Sequence, residues 1–189
     1  ISTVNMLGCH DGIPLLDLKG LLPEEEIQSL IERIVSRGGM VKNLHGQKNL
    51  YYQVNATYYS ALGESDEKML LARAIQMFMP GKPQVWYLDL FAGKNDHEAV
   101  RRAGESGHKE INRTNLSTDQ IAEDLKKDVV QKQLALIRMR NTHKAFSEGA
   151  EVAISGGENS LQIRWEYNSA FATLNVNFES GTYTIVESR

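Results

Sequence analysis

Cys9-His10-Asp11-Gly12 follows directly on the apolar segment Thr3-Val4-Asn5-Met6-Leu7. That segment reads as a short buried strand, and glycine after the acid lets the chain turn sharply off its end. A His-Asp pair at the C-terminal end of a barrel strand faces the pocket where (β/α)-barrel enzymes do their chemistry. One carboxylate cannot run a glycosidase-type reaction, which uses a pair flanking the scissile bond, and nothing downstream supplies a convincing partner. The residues alone also admit a plain turn, because Asp bonds its own backbone two residues on and Gly12 follows naturally.

The elements that would carry this pair alternate through the first two-thirds of the chain. Pro23 before Glu24, Glu25 and Glu26 has the form of a helix opening, with acids near the positive end of the dipole. Ile27, Leu30, Ile31 and Ile34 recur on one helical face, and Gly38-Gly39 ends it. A second helix is expected from Asp66, with Leu71, Ile75 and Phe78 on one face, stopped by Pro80-Gly81. The nearly continuous apolar run 85–91 reads as a strand of a parallel sheet covered on both faces. Ser117 with Gln120 forms a capping-box pattern, opening a helix that reaches about Phe146. From there the period changes to two. Leu161, Ile163, Trp165 and Tyr167 alternate with polar residues, as do Ala172, Leu174, Val176 and Phe178. Gly156-Gly157, Asn168-Ser169 and Ser180-Gly181 sit where hairpin turns are needed. An antiparallel module of about four strands is expected.

The fold class expected is α/β: the C-terminal part of a (β/α)8 TIM barrel over 1–146, then a small antiparallel β domain over 147–189. A complete barrel takes roughly 250 residues, so its N-terminal remainder would lie upstream. Such a piece leaves sheet edges open, and is expected only with the rest of its barrel or as a homo-oligomer that covers them.

Composition sets looser limits. The chain has 189 residues, 41% of them hydrophobic, enough for one core or one core with a small satellite. A net charge of −3 without a Lys/Arg run gives no case for nucleic acid. No stretch approaches the roughly 20 apolar residues of a membrane span. The single Cys9 excludes an internal disulfide and a cysteine-based zinc cluster. His45, His97 and His143 show no metal spacing and are read as surface residues, so no metal is expected. A cytoplasmic protein is the plain expectation.

Several segments carry a family resemblance. They are Cys9-His10-Asp11-Gly12-Ile13-Pro14, Lys19-Gly20-Leu21-Leu22-Pro23, Tyr52-Gln53-Val54-Asn55-Ala56-Thr57-Tyr58-Tyr59-Ser60-Ala61-Leu62, Pro80-Gly81-Lys82-Pro83-Gln84-Val85-Trp86-Tyr87, Ala92-Gly93-Lys94-Asn95-Asp96 and Glu110-Ile111-Asn112-Arg113. In order from residue 1 to about 146, they resemble the sucrose phosphorylase branch of the α-amylase superfamily. Within it, Met6-Leu7-Gly8-Cys9-His10-Asp11 and the segment 108–115 look most like glucosylglycerate phosphorylases, with sucrose and sucrose-6-phosphate phosphorylases next.

The resemblance implies an enzyme that cleaves an α-glucoside with phosphate, giving α-glucose 1-phosphate with retained configuration. No cofactor is implied beyond phosphate as co-substrate. The aspartate nucleophile and the glutamate acid/base would lie on earlier barrel strands, so this chain alone is expected to be inactive. Asp11 matches the transition-state stabiliser, and His10 the histidine that bonds glucose hydroxyls. Tyr52 and Gln53 match the loop on the acceptor side, where phosphate and leaving group alternate. Lys109 departs from the arginine usual in sucrose phosphorylases and offers a point charge in place of a fork; His108 beside it could share the role. Arg113 could serve phosphate or brace the loop. Asp89, Asp96 and Glu98 match no catalytic role.

Another class of reading is a non-catalytic carbohydrate-binding or interaction module built on the β domain. Burial of Trp165 would favour a structural sheet; exposed coplanar aromatics would favour sugar binding.

Overall fold

The computed structural model describes residues 3–43 and 51–188. In chain order come β1 (Val4–Asn5), β2 (Ile13–Pro14), α1 (Glu24–Ser36), β3 (Met40–Asn43), β4 (Tyr51–Asn55) and α2 (Tyr58–Ala61). Next are α3 (Asp66–Phe78), β5 (Lys82–Pro83), α4 (Tyr87–Leu90), α5 (His97–Ala103) and a 3-10 segment, Gly104–Asn112. Then follow α6 (Thr118–Asp124), α7 (Asp128–Thr142), the 3-10 turn Lys144–Phe146, and β6 (Glu151–Gly157), β7 (Ser160–Tyr167), β8 (Ala170–Asn177) and β9 (Thr182–Glu187). The fold is α/β with a four-stranded antiparallel sheet at its C-terminal end. Two compact units interleave along the chain: residues up to 6, 66–84 and from 126 onward form one, and 7–65 with 85–125 form the other.

In the first unit, β6 to β9 pair in sequence order as an antiparallel meander. The period-2 pattern buries Ile163, Trp165, Ala172, Leu174 and Val176 on one face. Two-residue turns close the first two hairpins: Gly157 pairs with Ser160 and Tyr167 with Ala170. The first turn is therefore Glu158-Asn159, and Gly156-Gly157, expected as the turn, belong to the strand. Trp165 is 8% exposed and donates from Nε1 to the Phe78 carbonyl at 2.6 Å. The Arg140 guanidinium lies over the rings of Phe146 and Trp165, at 4.7 and 4.3 Å, and donates to the carbonyls of Met77 and Gly81. Stacking and two hydrogen bonds stabilise a cation whose burial pulls its pKa down. His143, read from sequence as a surface residue, is instead mostly enclosed. Its Nδ1 accepts from the Ala145 amide, which leaves Nε2–H to donate to the Ser188 carbonyl at 3.1 Å.

The same unit holds a two-stranded parallel ladder, with Val4 opposite Lys82 and Asn5 opposite Pro83. Fully buried Arg73 on α3 donates to Gln133 on α7 and to Gln76. The Gln76 amide in turn reaches the carbonyls of Asn5 and Gln84. A buried polar chain thus ties helices to strands in place of an apolar contact, and satisfies groups that would be costly to leave unpaired.

In the second unit, α1 lays Ile27, Ile31 and Ile34 into a core with Leu15, Val54, Ala56 and Ala61. Strands β2, β4 and β3 form an antiparallel sheet in that order, which the sequence reading did not anticipate.

Two strand expectations change. A parallel strand does follow Pro80-Gly81, but it is Lys82–Pro83; the run expected as strand over 85–91 holds helix α4. A short apolar run cannot be told from a buried helix by periodicity, and here polar anchors decide. Asp89 is 1% exposed and its Oδ1 accepts from the Tyr58 amide at 3.1 Å, while the Leu88 carbonyl closes the turn with Gly93 N. Val4, expected to be buried, is 57% exposed. The long helix expected from Ser117 to Phe146 is three pieces, α6, α7 and a 3-10 turn. No helix among the described residues is long and apolar enough to cross a membrane.

Candidate active site

The Cys9–Gly12 turn closes on itself: Gly12 N donates to the Cys9 carbonyl at 2.9 Å and Cys9 N to the Gly12 carbonyl at 3.2 Å. Gly12 has φ 106°, and a Cβ there would stand 2.3 Å from the Val54 carbonyl oxygen. Only glycine gives both the left-handed turn and the close approach to β4. The turn leaves the His10 imidazole 59% exposed and the Asp11 carboxylate 35% exposed, with His10 Nε2 3.2 Å from Asp11 Oδ2. The Trp86 indole lies beside His10, ring centroids 6.0 Å apart.

Two cations converge on Asp11 Oδ1 from the 3-10 segment and its C-cap: Lys109 Nζ at 2.5 Å and Arg113 Nη2 at 3.2 Å. Lys109 reaches it from within the segment and Arg113 from the C-cap, where the backbone has left the helix (φ −132°). Arg113 also pairs with Glu110 Oε1 at 3.3 Å. The Lys109 hydrogen bond is the main reason the Asp11 carboxyl sits below its ordinary pKa; partial burial opposes it, and the charges of Lys109, His10 and Arg113 add to it. Asp11 is therefore held ionised and acceptor-only, the state that can stabilise a developing cation.

The 3-10 segment is itself pinned. Asp96 caps α5 through Ala99 N, accepts from the Thr114 hydroxyl at 3.2 Å, and donates its own amide to the Ile111 carbonyl at 3.0 Å. The capping bond is the first cause of its lowered pKa. Tyr87 donates its hydroxyl to the Thr114 carbonyl at 2.7 Å, and burial raises the pKa of that phenol.

Strand β4 approaches the turn from its other side. Its period of two sends Val54 into the core and Gln53 and Asn55 to the opposite face. Gln53 Nε2 and Asn55 Nδ2 both donate to the Asp11 carbonyl, at 2.7 and 2.6 Å. Gln53 is 4% exposed, its amide nitrogen committed to the turn.

Of the residues singled out from sequence, His10, Asp11, Gln53, Lys109 and Arg113 come together. His108 is half-buried in the same 3-10 segment. Tyr52 lies on β4, and its side chain falls outside the described residues, as does His45. Sequence reasoning missed Asn55 and Asn112. Asn112 donates from Nδ2 to the Cys9 carbonyl at 2.5 Å, and its Oδ1 accepts from Trp86 Nε1 at 3.3 Å. The available signal was their place inside the segments that carry the resemblance.

No protein-family model matches the chain. It is 54% identical over 194 residues to a sucrose 6(F)-phosphate phosphorylase of Ilumatobacter coccineus, covering 98% of this chain and 37% of the relative. It is 32% identical over 157 residues to the glucosylglycerate phosphorylase of Escherichia coli K12, covering 75% of this chain and 28% of the relative. The crystal structure of sucrose 6F-phosphate phosphorylase from Thermoanaerobacter thermosaccharolyticum superimposes with a TM-score of 0.93 at 38% identity, over 100% of this chain and 38% of that one. The chain thus spans well under half the length of these relatives.

Proposed function

Because the chain belongs to the sucrose phosphorylase branch of the glycoside phosphorylases, we propose that it is the C-terminal portion of a retaining enzyme that transfers glucose from an α-glucoside to phosphate. Residues 1–146 would complete a (β/α)8 barrel with an N-terminal remainder, and 147–189 would form a small antiparallel β domain. The observation that carries the reading is the Asp11 carboxylate, fixed and ionised beside His10.

In this reading an upstream carboxylate attacks the anomeric carbon and expels the aglycone, protonated by an upstream acid. The sugar passes through an oxocarbenium-like state twice, once forming and once losing the glucosyl-enzyme. Asp11 opposes that cationic charge as it develops, so its benefit falls on the barrier. His10 is exposed and placed to bond glucose hydroxyls. Lys109 and Arg113 hold the Asp11 carboxylate, and Arg113, paired with Glu110 as well, braces the loop. Gln53 would act on the acceptor side through the turn it holds.

For the donor, the 54% relative over nearly the whole chain favours sucrose 6F-phosphate over glucosylglycerate, whose enzyme matches less of the chain at lower identity. Lys109, on which the glucosylglycerate expectation leaned, is compatible with either, since it contacts Asp11. The alternative of a sugar-binding β module loses support from the burial of Trp165.

The test is an assay of the full-length protein with phosphate over sucrose 6F-phosphate, sucrose and glucosylglycerate. Release of glucose 1-phosphate, fastest from sucrose 6F-phosphate, is expected, and none from residues 1–189 alone. Preference for glucosylglycerate overturns the donor, and glucose release without phosphate overturns phosphorolysis.

A further inference from the structure

The carbonyls of Cys9, His10 and Asp11 each receive a side-chain donor from a remote segment: Asn112 Nδ2, Arg113 Nε, and the paired amides of Gln53 and Asn55. Asn55 and Asn112 are buried to within 1%, out of reach of any substrate. We propose that Asn55 and Asn112 are positioning residues that hold the Asp11 carboxylate in its productive orientation by gripping the main chain around it from two sides. The proposal rests on the reading of Asp11 given above.

A short turn with one internal bridge does not fix a carboxylate, because rotation at residues 10 and 11 carries the side chain with it. Lys109 does not fix it either: a long, flexible ammonium follows its partner. A short amide locked in a core does. Trp86 Nε1 donates at 3.3 Å to both the Asn112 carbonyl and Asn112 Oδ1, which draws the amide oxygen to the indole and leaves the nitrogen facing the Cys9 carbonyl. Asn55 Oδ1, by contrast, has no hydrogen-bond partner among the described residues. A buried oxygen left unpaired is costly, so the amide at this position is explained by what its nitrogen does for Asp11. The two grips come from different elements, β4 and the 3-10 segment, and bracket the carboxylate.

The test measures Asn112→Asp and Asn55→Leu in the full-length enzyme, each also combined with Asp11→Asn. Asn112→Asp keeps the acceptor for Trp86, and Asn55→Leu removes the unpaired oxygen, so each substitution spares part of the local packing. Misplacement of a catalytic group by an ångström costs about a hundredfold, so kcat should fall about ten- to a hundredfold with KM nearly unchanged. In the Asp11→Asn background the same substitutions should cost less than about twofold, because there is no longer a charge to aim. Equal losses in both backgrounds, or unchanged kcat, overturn the proposal. Where a single variant does not fold, the other carries the same comparison. Activity is followed with phosphate and with water as acceptor: an enzyme that only hydrolyses refutes the phosphorylase reading and leaves this comparison intact, and an unsubstituted enzyme inactive with both refutes both.

Discussion

The turn at Asp11 and the C-terminal sheet are held by opposite means. In the sheet, neighbours in space are neighbours in sequence: three antiparallel pairings link consecutive strands, and alternating apolar side chains supply the stabilisation. In the turn, the local Cys9–Gly12 bridge is joined by polar contacts that cross the chain over long separations, 42 residues from Gln53 and 98 from Lys109 to Asp11. An element stabilised locally tolerates the loss of any one polar contact. An element assembled from distant amides and cations puts direction ahead of stability, as the electrostatic role proposed for Asp11 would require.

Four substitutions sharpen or break this contrast. The largest effect should come from Trp165→Ala, which removes a buried ring, its hydrogen bond to Phe78 and the stack under Arg140. About 3–5 kcal/mol of stability should be lost, measured by urea unfolding of the full-length protein; a loss below about 1 kcal/mol would show the sheet is not anchored by this residue. Asp11→Asn comes second, on the kinetic axis: kcat should fall about a hundred- to a thousandfold with KM little changed, and near-normal turnover would remove Asp11 from the catalytic list.

Third is Lys109→Met. Asp11 sits below its ordinary value of 3.8, chiefly through Lys109. Its ionised form therefore stabilises the native state above the unfolded pKa, and that stability is lost as pH falls through the lowered folded pKa. Removing Lys109 should move the acid limb of kcat/KM to higher pH, and an unmoved limb would mean Lys109 does not set the charge on Asp11. The smallest effect should be Glu166→Gln on the open face of the sheet, where Arg164 pairs with it at 2.9 Å. This exposed pair should contribute less than about 0.5 kcal/mol, and a larger loss on thermal melting would erase the distinction between the two regions.

The same contrast explains what was legible in the residues. The meander could be read strand by strand, because alternation and turn residues are local signals; the first turn shifts by two positions, and Phe178, expected inward, lies past the end of β8 and is 47% exposed. Helix α1 was legible through its stop and apolar period, and α3 through its start and stop. Of the face expected for α3 only Phe78 is buried, with Met69, Leu70, Ala74 and Met77 taking the place of Leu71 and Ile75. The run 85–91 was not, because its helical turn is decided by Tyr58 and Asn112, residues far away in the chain. The site was legible as a set of motifs, and His10, Asp11, Gln53, Lys109 and Arg113 do meet. What no pattern disclosed was the direction of the Gln53 and Asn55 amides, which depends on β4 pairing with both β2 and β3, and of the Asn112 amide, which depends on Trp86.

The 2.3 Å clearance at Gly12 makes this turn a constraint on descent as well as on conformation. Every single-nucleotide change that replaces glycine adds at least a Cβ, which would strike the Val54 carbonyl, so drift at this position stays closed unless β4 withdraws first. If β4 withdrew, it would take the Gln53 and Asn55 amides with it. The acid and the strand behind it are thus heritable only as one piece, and a recombination joint placed between residues 12 and 53 would separate partners whose fit was made together.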